Sequence, residues 1–94
     1  MNSSIMIVFL VCDEVNMLDL SGSMQVFKTA NLLRDKCNNV HYNVKVLSLS
    51  GGLIKCSSGV FLSTESFINF EETIDTLIVV GGHGVENMVM PLIG

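Results

Sequence analysis

Ile5 to Cys12 reads IMIVFLVC, an apolar run rich in β-branched residues and bounded by polar ones. So short a run without polar alternation predicts a strand buried on both faces. From Met17 to about Lys36 the period changes. Met24, Phe27, Ala30 and Leu32 or Leu33 recur at the spacing of one helical face, which places Lys28, Arg34, Asp35 and Lys36 on the wet side. Gly22 falls inside this helix, where glycine costs about 1 kcal/mol relative to alanine. His41 to Ser50 (HYNVKVLSLS) alternates at Tyr42, Val44 and Val46, continues through Leu47 and Leu49, and predicts a second strand. Gly51-Gly52 marks a turn, and Leu53 to Ser57 with Gly59 to Leu62 predicts a hairpin around Ser57-Ser58-Gly59. Ser66 to Thr73 is polar enough for a loop or one short helix. Asp75 to Val80 (DTLIVV) predicts a third buried strand that runs into Gly81-Gly82-His83-Gly84. Glu86 to Leu92 would begin a helix, with Met88 and Met90 as packing residues and Pro91 a poor fit beyond the first turn.

Strand, helix, strand, hairpin, strand, glycine-rich loop and helix start is the alternation of an open α/β sheet. Ligands bind such sheets beyond the carboxyl ends of the strands. Here those ends are Cys12-Asp13-Glu14, Ser48-Leu49-Ser50 and Gly81 to Gly84. No internal repeat or linker interrupts the chain.

Composition narrows the function classes. The 94 residues are 49% hydrophobic and 15% charged, which is core material for one domain and unlike a disordered segment. The net charge of −4, with five scattered basic residues, argues against nucleic-acid contact by this segment. The longest apolar run is far below the roughly 20 residues that span a bilayer, and no basic stretch precedes it. No membrane partner is therefore expected. Cys12, Cys37 and Cys56 are odd in number and widely spaced, which fits reduced thiols and a cytoplasmic location. No zinc-type spacing occurs, and neither metal nor cofactor is expected.

Three segments together resemble one family. They are Val15 to Phe27 (VNMLDLSGSMQVF), Leu47 to Gly52 followed by Ser57-Ser58-Gly59, and Ile74 to Gly84 (IDTLIVVGGHG). In this order and spacing they look like the amino-terminal half of a DJ-1/PfpI domain, of the class I glutamine amidotransferase-like group. The nearest branch is the one fused to AraC-type transcriptional regulators, with isonitrile hydratases as relatives, and Asn31 fits that branch. The resemblance covers nearly the whole chain from Ile5 to Gly94. It implies a flavodoxin-like parallel sheet with helices on both faces, here a partial domain over residues 1–94. The strand and elbow carrying the family's nucleophilic cysteine, and any DNA-binding domain, would lie beyond Gly94. Ser23 and His83 depart from the prolines usual after Gly22 and in the Gly-Gly-Pro-Gly loop. The first leaves the helix start less rigid; the second puts an imidazole at the mouth of the implied site.

The resemblance also assigns candidate roles. Gly81 and Gly82 match positions that supply backbone N–H donors to an oxyanion; the same glycines would equally serve a tight strand-to-helix turn. His83 and Gly84 complete this ligand loop. Asp19 matches the acidic position of the hydratase-like branch, where a carboxyl in a semi-apolar pocket can exchange protons; it would equally favour a helix N-terminus. None of Cys12, Cys37 or Cys56 follows the Gly-Gly loop. Cys12 is expected in the core, Cys37 at a helix end and Cys56 in the hairpin, and a Cys12–His83 pair is the remaining conceivable arrangement. His41 is expected as a solvated loop residue, and Glu71, Glu72 and Asp75 as an acidic solvated turn.

The expected function is the front part of a ligand-sensing regulator domain, truncated and non-catalytic, that binds a small-molecule effector and self-associates. The alternative is a fragment of a cysteine-dependent enzyme such as an isonitrile hydratase or amidase-like hydrolase. Whether the chain is an enzyme is open, and the missing nucleophile weighs against it. Half a sheet has little burial to set against ordering entropy, so the isolated chain is expected to be marginally stable, and a gene remnant is a further possibility.

Overall fold

The central strand is the one the hydrophobic pattern marks most strongly. In the computed structural model, which describes residues 3–33 and 40–80, it is β1 (Ser3–Leu10). Helix α1 (Met17–Leu33), β2 (Val40–Ser48), β3 (Gly52–Lys55), β4 (Phe61–Ser66) and β5 (Thr76–Val79) follow. The sheet runs β3-β4-β2-β1-β5. β1 lies parallel to β2 and to β5, and β2 parallel to β4. This is an α/β architecture consistent with a flavodoxin-like fold.

The parallel sheet that the resemblance implies carries the predicted hairpin as its edge, so the sheet as a whole is mixed. β3 runs antiparallel to β4, from Gly52↔Thr64 to Lys55↔Phe61. The hairpin joins the sheet by its second arm only, through Leu47↔Glu65 and Ser48↔Ser66, so its first arm must run the other way. The hairpin loop closes with Gly59 N–H donating to Cys56 O (2.9 Å) and Cys56 N–H to Val60 O (2.8 Å). Gly59 carries a φ of 94°, the left-handed residue that such a loop requires. β1 also starts and ends two residues earlier than its hydrophobic run, because Ser3 and Ser4 pair with Val40 and His41 while Val11 and Cys12 have left the ladder.

Met6 to Val11 are all buried. Ile7, Phe9 and Val11 face α1 and pack with Val15, Leu20, Ile54, Cys56 and Val80. Met6, Val8 and Leu10 form the opposite face with Leu47. Among the described residues that second face is covered by Phe67, Phe70 and Ile74, on a non-helical segment. The segment is tied down where Phe67 N–H donates to Ser48 O (2.7 Å) and Asp75 N–H to Met6 O (3.0 Å). Asp75 Oδ2 accepts from Met6 N–H at 2.7 Å. Asp75 is exposed like Glu71 and Glu72, as expected of a solvated acidic turn, and in addition ties that turn to the start of the core strand.

The inward stripe of α1 is Leu20, Met24, Phe27 and Asn31. Leu32 and Leu33, expected on that face, are 77% and 78% exposed. The stripe runs one position off because a polar residue ends it. Asn31 Nδ2 donates to Tyr42 O and its Oδ1 accepts from Tyr42 N–H, both at 2.8 Å. Phe27 bridges the strands, its ring 6.0 Å from that of Phe9 and 5.3 Å from that of Tyr42, both edge-on. Even half-buried, a phenylalanine contributes roughly 1–2 kcal/mol, enough to offset the cost of about 1 kcal/mol at the exposed Gly22.

The β2–β3 turn rests on two glycines with φ of 81° and 85°, Gly51 and Gly52. Below them Ser48 Oγ and Thr64 Oγ1 are 2.7 Å apart, Thr64 Oγ1 donates to Gly52 O (2.7 Å), and Gly51 N–H donates to Ser48 Oγ (3.1 Å). A Cβ on Gly51 would lie 2.9 Å from Ser66 N, whereas one on Gly52 would meet nothing within 4 Å. Gly51→Ala is therefore expected to lower stability by about 2–3 kcal/mol and Gly52→Ala by about 1 kcal/mol. Urea melts of the two variants check the order, and equal losses would contradict it.

Candidate functional site

The carboxyl end of β1 opens into residues 11–16, where sheet folds of this kind place their chemistry. Val11 stays with the sheet by donating to Leu47 O at 2.8 Å. The chain then turns, with Val15 N–H donating to Cys12 O at 3.2 Å. The hairpin latches this turn. Glu14 N–H donates to Lys55 O (2.7 Å), Ser57 N–H donates to Val15 O (2.9 Å), and Val15 and Cys56 form a parallel bridge. Asp13 adds a side-chain contact, its Oδ1 accepting from Lys55 N–H at 3.1 Å. Val15 and Cys56 are both fully buried beneath this seam.

Helix α1 starts at the far side of the turn. Asn16 caps it: its Oδ1 accepts from Leu18 N–H (3.0 Å) and Asp19 N–H (3.2 Å), and its carbonyl accepts from Leu20 N–H (3.1 Å). Such a cap stabilises a helix by about 1 kcal/mol. An asparagine directly before an apolar periodic run is a readable start signal. Asp19 stands in the first turn and is exposed. A carboxylate there is favoured by the helix dipole.

Of the expected site residues, only Asp19 falls in the described part. Gly81, Gly82, His83 and Gly84 lie outside the described residues, as do Cys37, Met88, Met90 and the expected helix at Glu86 to Leu92. Val80 is buried and donates its N–H to Leu10 O at 3.2 Å, beside the start of the 11–16 turn. His41 sits in β2 and is exposed. Among the described residues no group of three or more His, Cys, Asp or Glu could hold a metal ion, and no helix is long and apolar enough to cross a membrane.

Cys12 is half-buried at the turn. Burial pushes its thiol above the usual cysteine range, and the neighbouring Asp13 carboxylate pushes the same way. A raised thiol is mostly protonated at neutral pH and is a weak nucleophile. Cys56 is sealed in the core. Neither is in the electropositive, accessible setting that activates a cysteine.

Sequence reasoning missed the strain at the site. Glu14 has a φ of 70°, the only positive φ among described non-glycine residues. A left-handed conformation costs a side-chain-bearing residue roughly 1–2 kcal/mol. The 2.7 Å bond to Lys55 and the neighbouring bridge hold it there.

No family model matches the chain. A Streptomyces lividans protein known as the uncharacterized protein in the cpoL 5′ region is 32% identical over 89 residues. That alignment covers 94% of this chain and 60% of the relative. The crystal structure of an AraC family transcriptional regulator from Pseudomonas putida superposes with a TM-score of 0.68 at 29% identity, covering 84% of this chain and 41% of that one. This chain therefore spans less than two thirds of the length of either protein.

Two outcomes follow from the turn. Glu14→Gly relieves the left-handed strain and is expected to raise stability by about 1 kcal/mol, read as a later urea midpoint; an unchanged or earlier midpoint would contradict the strain. Alkylation of Cys12 by iodoacetamide, followed by peptide mass spectrometry, is expected to be slower at pH 7 than for a free cysteine. It should climb with pH beyond the range where a free thiol has already levelled off, since the protonated form persists to higher pH.

Proposed function

We propose that this chain is the amino-terminal part of a DJ-1/PfpI-like, ligand-sensing domain of an AraC-type transcriptional regulator, and that it is non-catalytic. The observation that carries this reading is the match to an AraC family transcriptional regulator over 84% of the chain at 29% identity. The motif order from Val15 to Phe27, through Gly51-Gly52, to Gly81-Gly82 is the basis for the finer DJ-1/PfpI assignment. In this reading the 11–16 turn, Asp19 and the Gly81 to Gly84 loop contribute to an effector pocket, and DNA contact belongs to a different part of the regulator.

Among the described residues, neither Cys12 nor Cys56 offers an activated nucleophile, which supports the non-catalytic part of this reading. Nucleophilic catalysis needs an accessible thiolate near neutral pH. Cys12 is shifted the opposite way and Cys56 is buried. Self-association is part of the proposal, and the exposed Leu18, Val26, Leu32 and Leu33 on one helix are consistent with it.

The test begins with the gene. A reading frame that continues past Gly94 into a basic helix-turn-helix is expected, and the product of that whole frame should retard DNA from its own upstream region in gel shifts while residues 1–94 alone do not. Turnover of an isonitrile or a simple amide by the 94-residue chain, lost in Cys12→Ala or Asp19→Asn, would overturn the reading.

A further inference from the structure

The outer edge of β2 is only partly covered. Leu47 turns its carbonyl toward β1, where Val11 N–H donates to it at 2.8 Å. Main-chain groups alternate sides along a strand, so Tyr42, Val44, Val46 and Ser48 turn theirs outward. Ser48 does so visibly, accepting from Phe67 N–H at 2.7 Å. β4 stands in register only with Leu47 and Ser48. At Tyr42 the outward N–H and C=O are both taken by the carboxamide of Asn31, at 2.8 Å each. Between these two closures, among the described residues, no strand is paired with β2 at Val44.

A cavity of about 580 Å³ opens along this stretch, between α1 and β2, with Met24, Gln25, Asn31, Tyr42 and Val44 among its lining. That volume is in the range of small-molecule sites. Its walls are set by groups already fixed: Asn31 by its two hydrogen bonds, Tyr42 by its ring contact with Phe27. Met24, Tyr42 and Val44 supply apolar surface next to the outward main-chain pair.

We infer that this groove binds a small neutral carboxamide, whose amide pairs with the N–H and C=O of Val44 as the Asn31 carboxamide pairs with Tyr42. The ligand's carbonyl accepts from Val44 N–H and its N–H donates to Val44 C=O, with the apolar body against Met24 and Tyr42. A carboxylate places a second acceptor against the Val44 carbonyl, and an ester offers no donor, so both are selected against. Lys28 also lines the groove but is exposed on α1, where solvent screens its charge. The site occupies the amino-terminal half of β2, at the opposite end of the strands from the 11–16 turn, and does not depend on the regulator reading.

Benzamide is a suitable probe, with methyl benzoate and benzoate as comparators, titrated into the ¹⁵N-labelled 94-residue chain and followed by NMR. Benzamide is expected to shift the Val44 amide saturably at roughly millimolar concentration, and the ester and acid to bind about tenfold more weakly, the loss for one or two unmatched hydrogen bonds. Val44→Pro removes the outward N–H at an edge position where proline is tolerated, and should weaken benzamide about tenfold. Gln25→Trp, which fills the groove from α1 without touching β2, should abolish binding, and it decides the matter if the proline variant does not fold. Equal binding of benzamide, ester and acid would overturn the inference. So would the absence of a saturable shift up to about 20 mM, or benzamide binding that survives the tryptophan.

Discussion

Everything described in this chain is arranged around the burial of β1 on both faces. Six consecutive side chains from Met6 to Val11 are removed from water. A strand buried in this way must have a strand on each side and a cover above and below. β2 and β5 supply the first, and α1 and the Phe67–Ile74 segment the second. The burial term for these residues, roughly 2 kcal/mol each, far exceeds any local helix or turn preference in the chain. Exposed Leu77 and Val79 on β5 show where the same demand is only half met among the described residues.

The end of β1 is then determined by a seam and not by the strand itself. Glu14 and Val15 exchange main-chain hydrogen bonds with Lys55 and Ser57 of the hairpin, and Asn16 starts the helix. This seam joins elements more than 40 residues apart, as in Lys55 to Asp13. It is strong enough to hold a glutamate at positive φ. Strain stored where a sheet presents its ligand end is common in functional turns. The same seam buries Cys56 and leaves Cys12 half-covered beside an acid, and so decides that neither thiol is activated.

Asn31 is the residue whose role was least visible in advance. In a helical stripe it reads as an interruption, and the pattern predicts Leu32 or Leu33 in its place. A leucine at this position would remove both hydrogen-bond partners of the half-buried Tyr42 N–H and C=O. The amide therefore takes the inward position and the two leucines face water. That substitution of a side-chain amide for a neighbouring strand also defines the open stretch beside Val44.

The amino-acid sequence by itself determined the order and kind of elements. The apolar run at Ile5, the helical period from Met17, the alternation from Tyr42 and the glycine pairs are local signals, set by the period at which apolar residues recur and by which residues tolerate left-handed turns. It also carried Asp19 to the first turn of a helix and Gly51 to a turn that needs a glycine. Tertiary structure alone decided that the second arm of the hairpin joins β2, that Asp75 pairs with Met6, that Glu14 is strained and that Asn31 points inward. Each of these depends on a partner distant along the chain, and hydrogen bonds between distant residues leave no periodic trace in the sequence that makes them.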